Sequence, residues 1–145
     1  DLSVDVIMKG TFLCSQVFCP VFAEKGGGIV VNISSVMGVI APNQSIYGDS
    51  FKPITYSAAK HGIIGMTKYL ATYYAQSNVR VNALSPGGVF DNQPEEFVDK
   101  LTNLIPMNRM ADKTEYKGSI VFLCSDSSSY MTGHNLVVDG GMTAW

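Results

Sequence analysis

Charge is scarce in this sequence and balanced where it occurs: 15% of residues are Asp, Glu, Lys or Arg, and the net charge is -2 with a pI near 5.5. The ten basic residues are scattered along the chain and form no stripe, so a nucleic acid is not an expected partner. Cysteine is scarcer still. Cys14, Cys19 and Cys124 are odd in number, and the first two lie five apart, a spacing that fits neither a zinc knuckle nor a redox pair. Buried free thiols are expected. No set of His, Cys and carboxylate residues has metal-ligand spacing, so no metal site is expected. His61 and His134 are given structural or solvent-facing places. No apolar run approaches the roughly 20 residues that span a bilayer, and no charged-then-apolar leader opens the chain. Together these absences lead to the expectation of a soluble, cytoplasmic protein with no membrane partner. There is no internal repeat and no low-complexity linker, and 145 residues suit one domain, 1–145, with a modest core.

Also missing is a glycine-rich turn between a strand and a following helix, the backbone cradle that holds a pyrophosphate at a helix N-terminus. Gly26-Gly27-Gly28 precedes a strand and reads as a helix stop. The chain begins at Asp1, already in a helical pattern, as expected of a sequence that starts inside a longer polypeptide.

What is present alternates between helix and strand. Apolar residues at helical intervals predict a first helix over 2–23, and Ile29-Val30-Val31-Asn32-Ile33 predicts a buried strand running into Ser34-Ser35. Residues 38–55 are polar and turn-rich, a loop. A second helix is predicted over 56–76 with an apolar surface wider than one stripe, and a second strand over 79–84. A short helix opens at Pro94-Glu95-Glu96. Asp112-Lys113-Thr114-Glu115 reads as the capped start of another, continuing to Cys124, and a last strand covers 135–138. This order predicts an α/β fold with a parallel sheet.

Chemistry concentrates around Tyr56 and Lys60. Four-residue spacing puts both on one helix face, and Pro53 with a capping Thr55 would place Tyr56 in the first turn. A cation and a helix N-terminus both favour loss of a phenolic proton. A serine delivered at a strand's carboxyl end completes a set suited to proton transfer to a carbonyl. Ser35 is the first choice and Ser34 the second, because strand boundaries read from sequence err by a residue or more.

The strand ending Asn32-Ile33-Ser34-Ser35-Val36-Met37-Gly38, followed by Tyr56 and Lys60, resembles the short-chain dehydrogenase/reductase family. Arg80-Val81-Asn82-Ala83-Leu84-Ser85-Pro86-Gly87, Thr132-Gly133 and Val138-Asp139-Gly140-Gly141 resemble its later segments, so the likeness covers nearly the whole chain. The resemblance implies the later, carboxyl-terminal strands and helices of a Rossmann-like doubly wound sheet, without its glycine-rich half. It also implies an NAD(P)-dependent oxidoreductase acting on a small alcohol or carbonyl, of a sugar-related kind. In that picture Tyr56 is the acid/base and Lys60 adjusts the Tyr and holds the nicotinamide ribose. Ser35 binds the carbonyl oxygen, and Pro86, Gly87, Gly88 and Val89 lie on the nicotinamide side. The helices at 2–23 and 56–76 would build a homodimer or homotetramer. Two departures stand out: Ile7 where the family carries a relay Asn, and Asp91 where it often carries Thr. They support the alternative of a non-catalytic scaffold or dimerisation fragment without cofactor. The 38–55 loop is longer than the family commonly uses, which suits either substrate access or a tolerated surface insertion. A serine hydrolase is a third reading, against which Ser35 lacks a Gly-x-Ser-x-Gly turn.

Overall fold

The computed structural model describes residues 2–145. Its three strands, β1 (Gly28–Ile33), β2 (Val79–Pro86) and β3 (Asn135–Val138), form one parallel sheet in the order β1-β2-β3. Gly28 pairs with Val79 through Ile33 with Leu84, and Ala83 with Asn135 through Pro86 with Val138. Each strand sits within a residue or two of its predicted place, because short β-branched runs between turn signals have few other ways to hide.

The helices are α1 (Gly10–Glu24), α2 (Ile54–Tyr74), α3 (Glu95–Thr102) and α4 (Lys117–Leu123). A π-helical turn, Val4–Lys9, leads into α1. Ala59, Ile63, Thr67 and Ala71 recur every four residues on α2 and are all buried. This narrow stripe, with Ala at both ends, lets α2 lie close against β2. Below the loop, Val36, Met37, Ile46, Leu101, Ile105, Met110 and Met142 form a buried cluster, each apolar side chain worth about 1.5–3 kcal/mol when fully buried. The turn after β1 is pressed onto α2. A Cβ on Gly38 would stand 2.8 Å from the Lys60 carbonyl oxygen, so only glycine permits that approach.

Four expectations need correction. Thr55 caps nothing: α2 begins at Ile54, with Pro53 at the cap position and its carbonyl accepting from the Tyr56 N–H (3.1 Å). Asp112 and Glu115 make the expected reciprocal cap, Thr114 N to Asp112 Oδ1 and Asp112 N to Glu115 Oε2 (both 2.8 Å). Regular helix nevertheless starts only at Lys117. Of the three cysteines only Cys19 is buried. Five helical positions turn through about 140°, so Cys14 faces away from it. Finally, Val4–Glu24 taken whole is 21 residues, long and apolar enough by length and composition to cross a membrane, and little of it is buried. A run-by-run reading missed this because Asp5 and Lys9 interrupt the run without making the helix polar.

Candidate active site

Ser34 and Ser35 end β1 and part company at once. Ser34 is 2% exposed and its hydroxyl donates to the Lys60 carbonyl (2.8 Å), tying the strand end to α2. Ser35 adopts an extended backbone and turns its Oγ to accept from the Met37 N–H (3.1 Å), capping the short 3-10 turn Val36–Gly38. Adjacent residues of an extended chain point to opposite sides, so only one of the two can face the cavity.

That cavity measures about 170 Å³. Ser35 and Tyr56 line it together with Gly87, Gly88 and Val89, and Met37, Phe97, Leu101, Met110 and Met142 supply much of its apolar wall. Tyr56 sits in the first turn of α2, half-buried. Of the predicted cofactor-side residues, Gly87 donates its N–H to Val138 O (2.9 Å), and Pro86 is the last residue of β2, paired with Val138 and outside the cavity wall. A Cβ on Gly88 would meet Leu101 Cδ2 at 2.8 Å, so a larger residue there would have to displace the Leu101 side chain of α3. The Val89 carbonyl accepts from Gln93 Nε2 (2.9 Å), while Gln93 Oε1 accepts from the Asp91 N–H (2.8 Å).

Lys60 stays beside the Tyr56 ring but outside the cavity wall. Its Nζ donates to the Ile33 carbonyl (3.0 Å) and lies 5.8 Å from the centre of the Tyr56 ring, and it does not line the cavity. Helical spacing aligns Cβ atoms, but a four-carbon stem can carry the ammonium elsewhere. The cation nearer the ring is Lys52, at 3.9 Å from its centroid, and this residue does line the cavity. Sequence reading passed over it. Burial lowers the Lys52 ammonium below its ordinary value, and it lowers that of Lys60 too, with the Lys52 charge adding to the effect. Tyr47 completes the group. Its ring packs on Phe97 (5.7 Å between centroids), and burial, then Tyr56, raises the pKa of its hydroxyl.

Ile7 lies in the π-helical turn, half-buried and away from the cavity wall, and its carbonyl accepts from Thr11 Oγ1 (2.6 Å). Asp91 is exposed. No group of three or more His, Cys, Asp or Glu among the described residues could hold a metal ion.

Comparison with known proteins places this geometry in context. Residues 1–143 match the family model described as enoyl-(acyl carrier protein) reductase. The 3-oxoacyl-[acyl-carrier-protein] reductase of Thermotoga maritima is 37% identical over 146 residues, covering 98% of this chain and 56% of the relative. A crystal structure of a short chain dehydrogenase from Leptospira borgpetersenii with bound NAD+ superposes with a TM-score of 0.92 at 42% identity, over 97% of this chain and 54% of that one. A gluconate 5-dehydrogenase from Burkholderia cenocepacia with NADP bound superposes with a TM-score of 0.88 at 26% identity, over 98% and 55%. The chain thus spans about half the length of the relatives it matches.

Proposed function

Since the chain belongs to the short-chain dehydrogenase/reductase family, we propose that residues 1–145 carry the proton-handling side of a cytoplasmic NAD(P)-dependent oxidoreductase that interconverts a small alcohol and its carbonyl. The observation that carries this reading is one cavity lined by Ser35, Tyr56 and the Gly87-Gly88-Val89 backbone at the carboxyl ends of parallel strands, where open α/β sheets bind ligands. A nicotinamide bound there would supply or accept the hydride at the reacting carbon.

The residues fit such a cofactor. Val89 O already takes an N–H from the carboxamide of Gln93, so it can take one from a nicotinamide carboxamide in the same chemical role. Lys60 spends one of its three ammonium protons on Ile33 O, which leaves donors for ribose hydroxyls. No glycine-rich strand-turn-helix occurs within residues 1–145, so in this reading the cofactor's phosphates are held outside them.

In the reducing direction Tyr56 gives its hydroxyl proton to the carbonyl oxygen as the C–H bond forms, and in oxidation it takes that proton back. Ser35 donates a hydrogen bond to the same oxygen where charge develops. The test is Tyr56→Phe, which should lower turnover by about 10²–10⁴-fold. NADH and NADPH fluorescence titrations should change little, since the ring and Lys60 remain. Unchanged turnover would remove Tyr56 from the reaction. Absence of nucleotide binding in a protein that carries the phosphate-holding segment as well would favour the non-catalytic scaffold instead.

A further inference from the structure

Lys52 is fixed by a device that has nothing to do with α2. Asn43 Oδ1 accepts from Ser45 N (3.1 Å) and Ser45 Oγ (2.8 Å), starting the short 3-10 turn Gln44–Tyr47. From that turn the Gln44 amide reaches across the loop and brackets the Lys52 backbone on both sides. Nε2 donates to Lys52 O (3.1 Å), and Oε1 accepts from Lys52 N (2.9 Å). Two opposed hydrogen bonds to one residue set both its position and its direction. The side chain then crosses the Tyr56 ring and enters the cavity wall.

Among the described residues this ammonium is the only charged group that lines the cavity. The polar wall is otherwise neutral, from Ser35, Tyr47, Tyr56, Gln93 and backbone, and no carboxylate lines it. Lys60, the other nearby cation, adds positive potential from behind Tyr56. A half-buried ammonium without a counter-charge in its own cavity is costly, and a ligand anion relieves that cost. The cavity measures about 170 Å³, and a nicotinamide ring bound in it takes a share of that space, which suits a compact oxo or hydroxy acid better than a long or bulky chain.

We propose that Lys52 is an anion-binding specificity residue, and that the substrate is a small oxo or hydroxy acid whose carboxylate pairs with Lys52 while its carbonyl or hydroxyl meets Ser35 and Tyr56. This rests on the oxidoreductase reading for the second contact only, because the carboxylate contact requires no turnover.

The test uses matched probes: acetoacetate, 4-oxopentanoate and 5-oxohexanoate, each against its methyl ester, with dihydroxyacetone phosphate against dihydroxyacetone as a phosphate arm. Isothermal titration of the intact protein should show at least one acid binding 10- to 100-fold more tightly than its ester, the range expected of a charge-assisted hydrogen bond. In Lys52→Met that ratio should fall to about one, and Lys52→Arg should retain most of it. Steady-state rates of NADH or NADPH consumption should show the same ratio, carried by KM. Acid binding that depends on Lys52 without any turnover keeps the anion site and counts against the oxidoreductase reading alone. Equal binding of acid and ester by the unmodified protein overturns the proposal, as does Lys52→Met weakening both alike or a preference confined to the phosphate pair.

Discussion

The side-chain amide of Asn32, buried at the next-to-last position of β1, donates to the Thr67 hydroxyl on α2 at 2.9 Å. Both residues are at most 6% exposed, so neither has water to fall back on. Replacing Thr67 by Val keeps the shape and strands the amide, which should cost about 1–3 kcal/mol in denaturant unfolding. Asn32→Ala combined with Thr67→Val should cost less than the sum of the two single changes. An additive double mutant would show that the bond contributes nothing of its own. At this scale legibility depended on how far a side chain's fate is set by its immediate neighbours. Ser35 and Tyr56 could be brought to one place from strand and helix periodicity. Lys52 could not, because its position is set by Gln44, eight residues earlier in a loop that has no periodicity to read. The acceptor of the Lys60 ammonium, Ile33 O, also belongs to another element and leaves no sign in the helix period.

Elements begin and end where local hydrogen bonds are satisfied, and the approach to α4 shows how early that can happen. Glu115 accepts from Arg109 through two nitrogens, 2.7 and 2.8 Å, and from the Asp112 N–H. The Arg109 hydrogen bonds come first among the causes that hold its carboxyl at about 2, below the ordinary 4.5. A depressed folded value means that the contribution is complete above about pH 4.5 and is lost as the pH falls toward 2. Glu115→Gln should therefore flatten the stability profile between those limits and leave the rest of the curve parallel, as followed by urea midpoints across pH. An unchanged acid limb would mean that solvent screens this exposed pair completely. The sequence displayed the cap chemistry of residues 112–115 plainly. It could not display the four-residue delay before regular helix, because Arg109 draws Glu115 sideways and a bidentate partner outside the helix leaves no periodic trace.

At the scale of the whole molecule, the parallel strands and their neighbours were readable because buried strand runs separated by a helix admit few arrangements. Which surfaces they leave uncovered was not readable, since periodicity marks a residue as apolar without naming what lies against it. Two such surfaces remain. β1 ends the sheet order, and between it and α1 lies a groove of about 710 Å³ walled by Phe18, Phe22, Val30 and their neighbours. On α1, Leu13, Val17 and Val21 form an exposed stripe at four-residue spacing, and on α2 Tyr69 and Tyr73 stack at 5.9 Å while more than 60% exposed. The two helices touch, and exposed apolar stripes on such a helix pair are of the kind that marks a protein interface. We propose that this region pairs with its equivalent on a second copy. A twofold contact meets itself, so one added charge appears twice and opposes itself across the axis. Val17→Lys with Tyr73→Lys should therefore move sedimentation velocity toward monomer, whereas Lys at Tyr130, fully exposed elsewhere, should not. If the doubly charged variant keeps the oligomeric state of the unmodified protein, the helices face something other than a second copy. Flotation of the unmodified protein with phosphatidylcholine vesicles would then test whether that cover is lipid, an environment that the length and apolarity of Val4–Glu24 suit.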